Sequence, residues 1–599
     1  MIYHCEDHTC NYWDEGEKLP ERCPQCGRKL LRANEADMTG DDWTALGNTL
    51  WDAEASDKKR MVDCFRKAAY LGSAWGVCNL GICMEQGNGV EADPVQAFWL
   101  YQQAVEMGSL NAVCCLGVCY QYGIGTAPDA KQAAELYCKA AEYGSPRGQM
   151  LLARAFHDGI GVEADAAEAV YWVRAAAYQR YGEGMHRLGV CYEYGDGVEQ
   201  NWERAVHWFR EAAESGVGVA MTDLGYCYEK GCGVEQSWEQ AFSWYRRSAE
   251  CGNPVSMSNL GLCYQMGYGV EQNWQEAIKW YEQGAQCGDL QSMHNLACCY
   301  EGGEGVEQNE DRAFYWYRRS AEGGNGSAMC NLGRCYKRGY GVEQNWQEAV
   351  KWYEQGAQCG NLQSMHNLAC CYEHGEGVEQ NMTEAIRWYT AAAEGGNADD
   401  MYELGWQYDH GEAVEQDMKK AICWYERAAE QNHPAAMNSL GECYAMGRGV
   451  PRDLETAMEW YRRAAELGEA MADYNMGWHL EQAGKLSEAY THYRKAADGN
   501  DDSAWWALGR FYENGVVVAQ DGKEARRCYE TGEKLGSVKC KMRLARCKLL
   551  GIGGRRAKKA GLDLCRQALE LAKESSEKED YGYEAEMNLL RRTIAENES

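Results

Sequence analysis

The chain has 599 residues, of which 91 are Asp or Glu and 60 are Lys or Arg, for a formal net charge of -31. That balance disfavours non-specific nucleic-acid binding and favours basic partners. With eight prolines, 45% hydrophobic residues and no apolar run of about 18 residues, the chain reads as almost wholly helical, with no membrane span. Thirty cysteines follow an opening, MIYHCEDHTC, that lacks an apolar signal-like core, so they are expected to be thiols in the cytosol.

Residues 1–30 carry two short cysteine pairs, Cys5 with Cys10 and Cys23 with Cys26. Four thiolates at such spacing can close a tetrahedral site of the kind structural Zn2+ uses. A module this small cannot bury enough apolar surface to hold itself together. Zinc, worth roughly 10–16 kcal/mol in zinc-finger peptides, would supply the difference. The CPQCG segment resembles the second knuckle of rubredoxin-like zinc ribbons. The first knuckle departs from that pattern, with four residues between its cysteines, which favours structural zinc over an iron electron carrier. Residues 31–42 are polar and read as a linker.

From residue 43 the chain repeats itself. A ladder residue recurs every 36 positions from Leu80 through Leu260, Leu296, Leu332 and Leu368 to Leu440 and Met476, then resumes at Leu508 and Leu544 after a contraction of four. The block Gly267–Asn309 returns almost unchanged, 72 residues on, as Gly339–Asn381. A fixed period of this length marks a solenoid. After each ladder residue comes a small residue (Gly81, Gly261, Ala297, Gly441), then an aromatic such as Tyr264, placing one apolar stripe on a helix. Gly-x-Gly-Val, as at Gly267–Val270, ends that helix, and Asp or Asn (Asp93, Asn273, Asn345, Asp453) caps the next. An alanine such as Ala277 and a tryptophan column including Trp244, Trp280, Trp352 and Trp424 follow and are expected in the core. Trp202, Trp238, Trp274 and Trp346, just after the cap, are expected to staple the loop or to mark an outer contact surface.

The LGxxY…GxGV…D/NxxxA…WY pattern resembles the Sel1-like repeat family, relatives of the tetratricopeptide repeat. The resemblance implies an all-α fold: an α/α right-handed superhelical solenoid of about fifteen units over 43–563, with a C-terminal capping region at 564–599. It also implies adaptor work in a groove lined by the first helix of each unit. Secreted members that resemble this chain staple each unit with a disulfide. The corresponding positions here, Ala285 with Met293 and Ala357 with Met365, have no cysteine, in keeping with a cytosolic protein.

By the same resemblance, the groove would hold Asn259, Asn295, Asn331 and Asn367 with His294, His366 and Arg334. Asparagine offers both donor and acceptor to an extended backbone; alternatively these asparagines bridge neighbouring helices. An acidic column runs beside them: Glu193, Glu229, Glu301, Glu373 and Asp409. A period-locked cysteine column (Cys83, Cys119, Cys263, Cys371, Cys443) reads as buried packing. Lys539, Lys541, Arg543, Arg546, Lys548, Arg555, Arg556, Lys558 and Lys559 form a basic patch with no intervening acid. The patch could dock another copy's acidic groove or an anionic ligand, or could balance local charge.

No nucleophile–base set stands apart from the repeats. The expected function is therefore a non-enzymatic scaffold binding a basic peptide or protein segment in its groove, with the zinc ribbon as a second contact site. A nucleic-acid-associated regulator using the ribbon and the basic patch is the alternative, and a hydrolase the third.

Overall fold

The computed structural model describes residues 2–5, 13–15, 30–33, 38–51, 55–578 and 584–598. At the N-terminus, β1 (Ile2–Cys5) lies between β2 (Trp13–Glu15) and β3 (Leu30–Ala33), antiparallel to both. Ile2 pairs with Glu15 on one side and Ala33 on the other. Two elements reach into the stretch 31–42 expected as a linker. β3 runs into it from one end, and the helix Gly40–Thr49 starts inside it from the other. A reciprocal capping box, Thr39 with Asp42, fixes that helix start.

The remainder is a helical repeat solenoid. Its described residues fall into two compact units, 1–308 and 309–599. In the first, helix pairs succeed one another from Gly40–Thr49 up to the helix Leu290–Gly302. In the second, Glu310–Glu322 is followed by further pairs, the last being Val538–Leu550 with Lys558–Lys578, and then by Glu584–Glu598. The helix Lys558–Lys578 crosses the border expected at 564, and Glu584–Glu598 follows it. The last pair is closed by the Ala557 amide donating to the Lys548 carbonyl at 3.0 Å. Earlier loops close in the same way, as with Asn273 to Tyr264 at 2.8 Å.

Local chemistry explains each pair. The first helix of a pair ends on a left-handed glycine, for example Gly267 at φ 75°, whose amide bonds back to the Cys263 carbonyl. The second starts on a cap such as Asn273, whose side chain accepts the Glu276 amide at 3.2 Å. Glu276 pairs with Lys279, and Glu348 with Lys351. Where the two helices cross, the small residue after the ladder leucine lies under a tyrosine ring. A Cβ on Gly261 would come within 2.4 Å of Tyr281 Cε1. Tyr101, Tyr137, Tyr245, Tyr281, Tyr353, Tyr425, Tyr461 and Tyr529 are among the large, fully buried side chains of this core. The tryptophan preceding Tyr245, Tyr281, Tyr353, Tyr425 and Tyr461, expected in the core, is only half-buried. Trp244, Trp424 and Trp460 instead carry an arginine over the ring, at 4.3 to 4.5 Å.

Successive pairs meet backbone to backbone. A Cβ on the second loop glycine, Gly269, would lie 2.2 Å from the Trp238 carbonyl oxygen of the preceding pair. The Trp238 ring stacks on Tyr268 at 4.2 Å, so this tryptophan staples the loop.

Candidate partner-binding face of the first helices

Each first helix ends near a residue, five positions after the ladder leucine, that carries the expected acidic column. The second helix governs it. The buried tyrosine hydroxyl donates to this side chain: Tyr245 to Glu229 at 2.8 Å, Tyr389 to Glu373 at 2.6 Å, Tyr101 to Glu85 at 2.6 Å. Glutamine serves equally, with Tyr137 donating to Gln121 and Tyr281 to Gln265, both at 2.7 Å. In these pairs the phenol holds the side chain in place, which pre-positions the carboxylates of Glu85, Glu229 and Glu373. Glu229 keeps 19% of its side chain exposed, and the oxygen that Tyr245 leaves over, Oε1, is paired with Lys230 at 2.8 Å. In Glu193's pair the ring is Phe209, which has no hydroxyl, and burial pushes the Glu193 carboxyl up. Glu301 is half-buried, and its carbonyl accepts from Gln308 at 3.0 Å. Asp409 does not belong to an open surface: it is buried and paired with Arg448 at 2.9 Å.

The asparagines divide. Asn367 donates to Cys330 Sγ on the preceding first helix at 3.3 Å. Asn79 and Asn475, in the same register, reach back to Asn48 at 2.8 Å and Asn438 at 3.0 Å. At those positions asparagine bridges neighbouring helices. Asn295 accepts from Gln291 on its own helix at 2.8 Å. Asn259, Asn331 and Arg334 are half-buried.

The duplicated histidines sit in different surroundings. His366 Nδ1 lies 2.8 Å from Asp400 on the next first helix, and its Nε2 lies 3.6 Å from Cys370. The Asp400 bond, helped by Cys370, pushes the imidazole up to about 10. Asp400 is fully buried, and its second carboxylate oxygen lacks a partner. His294, the other copy, has contacts to Gln291 and Cys298 within its own helix. The residue at the offset of Asp400 is there Ala328.

The basic patch is split. Arg543 pairs with Glu513 at 3.3 Å and with Glu586 at 2.6 Å, and Arg546 also pairs with Glu513. Arg556 donates to the Leu549 carbonyl and to Asn597. Lys539 lies over the Trp506 ring at 5.3 Å. These four tie the last helix pair to its cap or to the preceding first helix, because Glu513 and Glu586 are nearly buried and need counter-charges. Arg555, Lys558 and Lys559 remain exposed, with Lys541 and Lys548 half-buried.

The cysteine column is buried, and burial pushes Cys83, Cys191 and Cys443 up to about 11 and Cys119, Cys263 and Cys371 up to about 12. Thiols so protonated are poor nucleophiles. Cys5 ends β1, and Cys10, Cys23 and Cys26 lie outside the described residues. Among the described residues no cluster of three or more His, Cys, Asp or Glu could hold a metal ion, and no helix is long and apolar enough to cross a membrane.

Helix pairs in fixed register, locked by capped loops and glycine crossings, define an α-helical repeat protein. The Sel1 repeat model matches thirteen consecutive stretches from 76–109 to 504–537, and the chain belongs to the Sel1 repeat family. The crystal structure of c5321, a protective antigen present in uropathogenic Escherichia coli strains and displaying an SLR fold, is 32% identical. That match covers 75% of this chain and 97% of that one, with a TM-score of 0.50. A Sel1 repeat protein from Oxalobacter formigenes is 31% identical over 41% of this chain and 99% of its own, with a TM-score of 0.39. No curated protein matches the chain. Sel1 repeat proteins generally mediate protein–protein interaction and are typically non-enzymatic scaffolds.

Proposed function

We propose that this chain is a cytosolic, non-enzymatic scaffold that holds a basic segment of a partner protein along its first helices. The observation that carries the reading is the row of carboxylates fixed by buried tyrosine hydroxyls. A charge already held in place loses little side-chain freedom when a lysine or arginine meets it. Glu373 is its best member in the second unit; in the first, Glu229 shares its outer oxygen with Lys230, and Glu193 and Glu301 stand in the same register. The N-terminal module is the second contact site. Its four cysteines are the donor set of a structural zinc, and a three-stranded sheet whose central strand ends at Cys5 suits that role. A cytosolic setting is in keeping with the free cysteines of the described residues. The nucleic-acid alternative has lost much of its support, since Arg543, Arg546 and Arg556 are engaged internally.

The chain itself supplies the test. Gln121 and Gln265 already accept a tyrosine hydroxyl, so Glu229→Gln and Glu373→Gln remove charge while keeping the internal bond. Titrated with an oligolysine peptide at low salt, the double variant should bind about three- to tenfold more weakly than the parent, the difference fading as salt rises. Oligoglutamate should not bind. Unchanged oligolysine affinity in the double variant would refute the acidic-face reading.

A further inference from the structure

One helix pair in the first unit breaks the tyrosine rule. Where Tyr101, Tyr137, Tyr245 and Tyr281 stand, and where Phe209 still supplies a ring, the helix Ala166–Tyr178 carries Val173. Its partner, Pro146–Asp158, departs as well: the acceptor position held elsewhere by Glu85, Gln121, Glu229 and Gln265 is His157. The two departures coincide in space. A cavity of about 380 Å³ opens over Ala153, Val170, Val173 and Cys191, with His157, Asp158 and Asp196 also lining it. In the neighbouring pairs the ring takes this place, so tightly that a Cβ on Gly117 would come within 2.5 Å of Tyr137 Cε1.

We infer that this cavity receives a tyrosine side chain from a bound protein segment, in the place the chain's own tyrosine holds in neighbouring pairs. The floor is aliphatic and suits a ring; an apolar cavity of about 150 Å³ already admits benzene. The polar requirement of a phenol is also met. His157 is tied through Nδ1 to Asp158 at 2.7 Å and through Nε2 to Asp196 at 3.2 Å. His157 engages only Oδ2 of Asp196, and the other oxygen of that carboxylate is left to accept the phenol O–H, as Glu85 and Glu229 do in their own pairs. Asp158 stays ionised, its carboxyl held below the usual range chiefly by the His157 bond. Arg154, 3.5 Å from Asp158 Oδ2, and Arg187 set two positive charges against Asp158, Asp196 and Glu183 in the lining. Such a site suits the dipoles of a peptide better than a free ion. Tyr122 and Tyr194, in the register of Asp158 on the first helices before and after, are 57% and 73% exposed and offer ledges for the residues flanking an inserted tyrosine. The inference deepens the scaffold reading and rests on it for the occupant being part of a protein.

The test uses the full chain with p-cresol, the tyrosine side chain itself, and toluene, its counterpart without hydroxyl, in ligand-detected NMR titrations. The wild type should bind p-cresol saturably and about three- to tenfold more tightly than toluene, the ratio a hydrogen bond supplies. Val173→Tyr should abolish p-cresol binding by filling the cavity; Ala369 under Tyr389 shows that a ring tolerates an alanine beneath it. Val173→Phe, which places there the ring that Phe209 supplies in the next pair, should do the same and serves if the tyrosine variant misfolds. A pentapeptide Lys-Lys-Tyr-Lys-Lys should bind the wild type more tightly than its phenylalanine analogue, and Val173→Tyr should erase that difference. No saturable p-cresol binding, equal toluene affinity, or binding that survives both substitutions overturns the inference. The Glu229→Gln, Glu373→Gln variant should bind p-cresol like wild type, so failure of the acidic face and failure of the cavity are read separately.

Discussion

Replacing Asp400 by asparagine removes the carboxylate that holds His366 protonated, and the consequence should be visible as a change in how stability depends on pH. His366 is pushed from its ordinary range up to about 10, first by Asp400 and then by Cys370. A group whose pKa is raised by folding adds stability that is complete below the unfolded value, about 6.5, and is lost as pH climbs toward the folded value. A shift of this size corresponds to roughly 5 kcal/mol at most. The net effect is smaller for two reasons. The His366 side chain is 30% exposed, and Asp400 is desolvated with one oxygen unpaired. A contribution of about 1–2 kcal/mol is therefore expected. Burial also pushes the Asp400 carboxyl up, but that acts in the acid range and leaves this window alone. Because long repeat arrays do not unfold in one step, the assay is hydrogen exchange of the helix Leu362–His374, corrected for intrinsic rates, from about pH 6 to about pH 9. The wild-type opening free energy should fall across that range while Asp400→Asn stays flat. Parallel slopes in the two proteins would refute the reasoning.

Three further outcomes are expected. Val517 occupies the second loop-glycine position with φ 65°, a conformation that costs a β-branched residue on the order of 1–3 kcal/mol. Val517→Gly should stabilise the flanking helices by about 1 kcal/mol after the extra chain entropy of glycine, and a lower denaturation midpoint would contradict this. Arg543→Ala strands Glu586, while Glu513 keeps Arg546, and should cost about 3 kcal/mol; unchanged exchange protection in Glu584–Glu598 would show that the ion pair does not hold the cap. Chelation should release zinc and alter the signals of residues 1–33 while leaving the helical circular dichroism intact; a metal-free protein by native mass spectrometry, or wholesale loss of helix, would count against a separate zinc module.

The repeat was legible because its signals are local. The Asn273 cap, the Gly267 terminator and the spacing from Leu260 to Leu296 each depend on neighbours within a few residues. What escaped is relational. The bond from Tyr245 to Glu229 joins residues on two helices, and nothing in either helix's own pattern announces it. The Trp-Tyr dipeptide looked like two core residues, but the crossing angle buries Tyr245 and leaves Trp244 beside Arg247. Asn367 could have faced a groove or a neighbouring helix with equal plausibility, and the packing of Cys330 decided it. The basic run from Lys539 to Lys559 seemed continuous because its counter-charges, Glu513 and Glu586, are far away in sequence. Val173 was visible as a gap in the tyrosine column only once the role of that column was known.

The seam between successive pairs, a glycine Cα resting on a carbonyl oxygen as Gly269 rests on Trp238, makes no demand on side-chain identity at the point of closest approach. At that point one copy of the module can follow another without matched side chains. Recombination can then lengthen the protein in whole steps. The near-verbatim return of Gly267–Asn309 at Gly339–Asn381 is what such recent growth would leave behind.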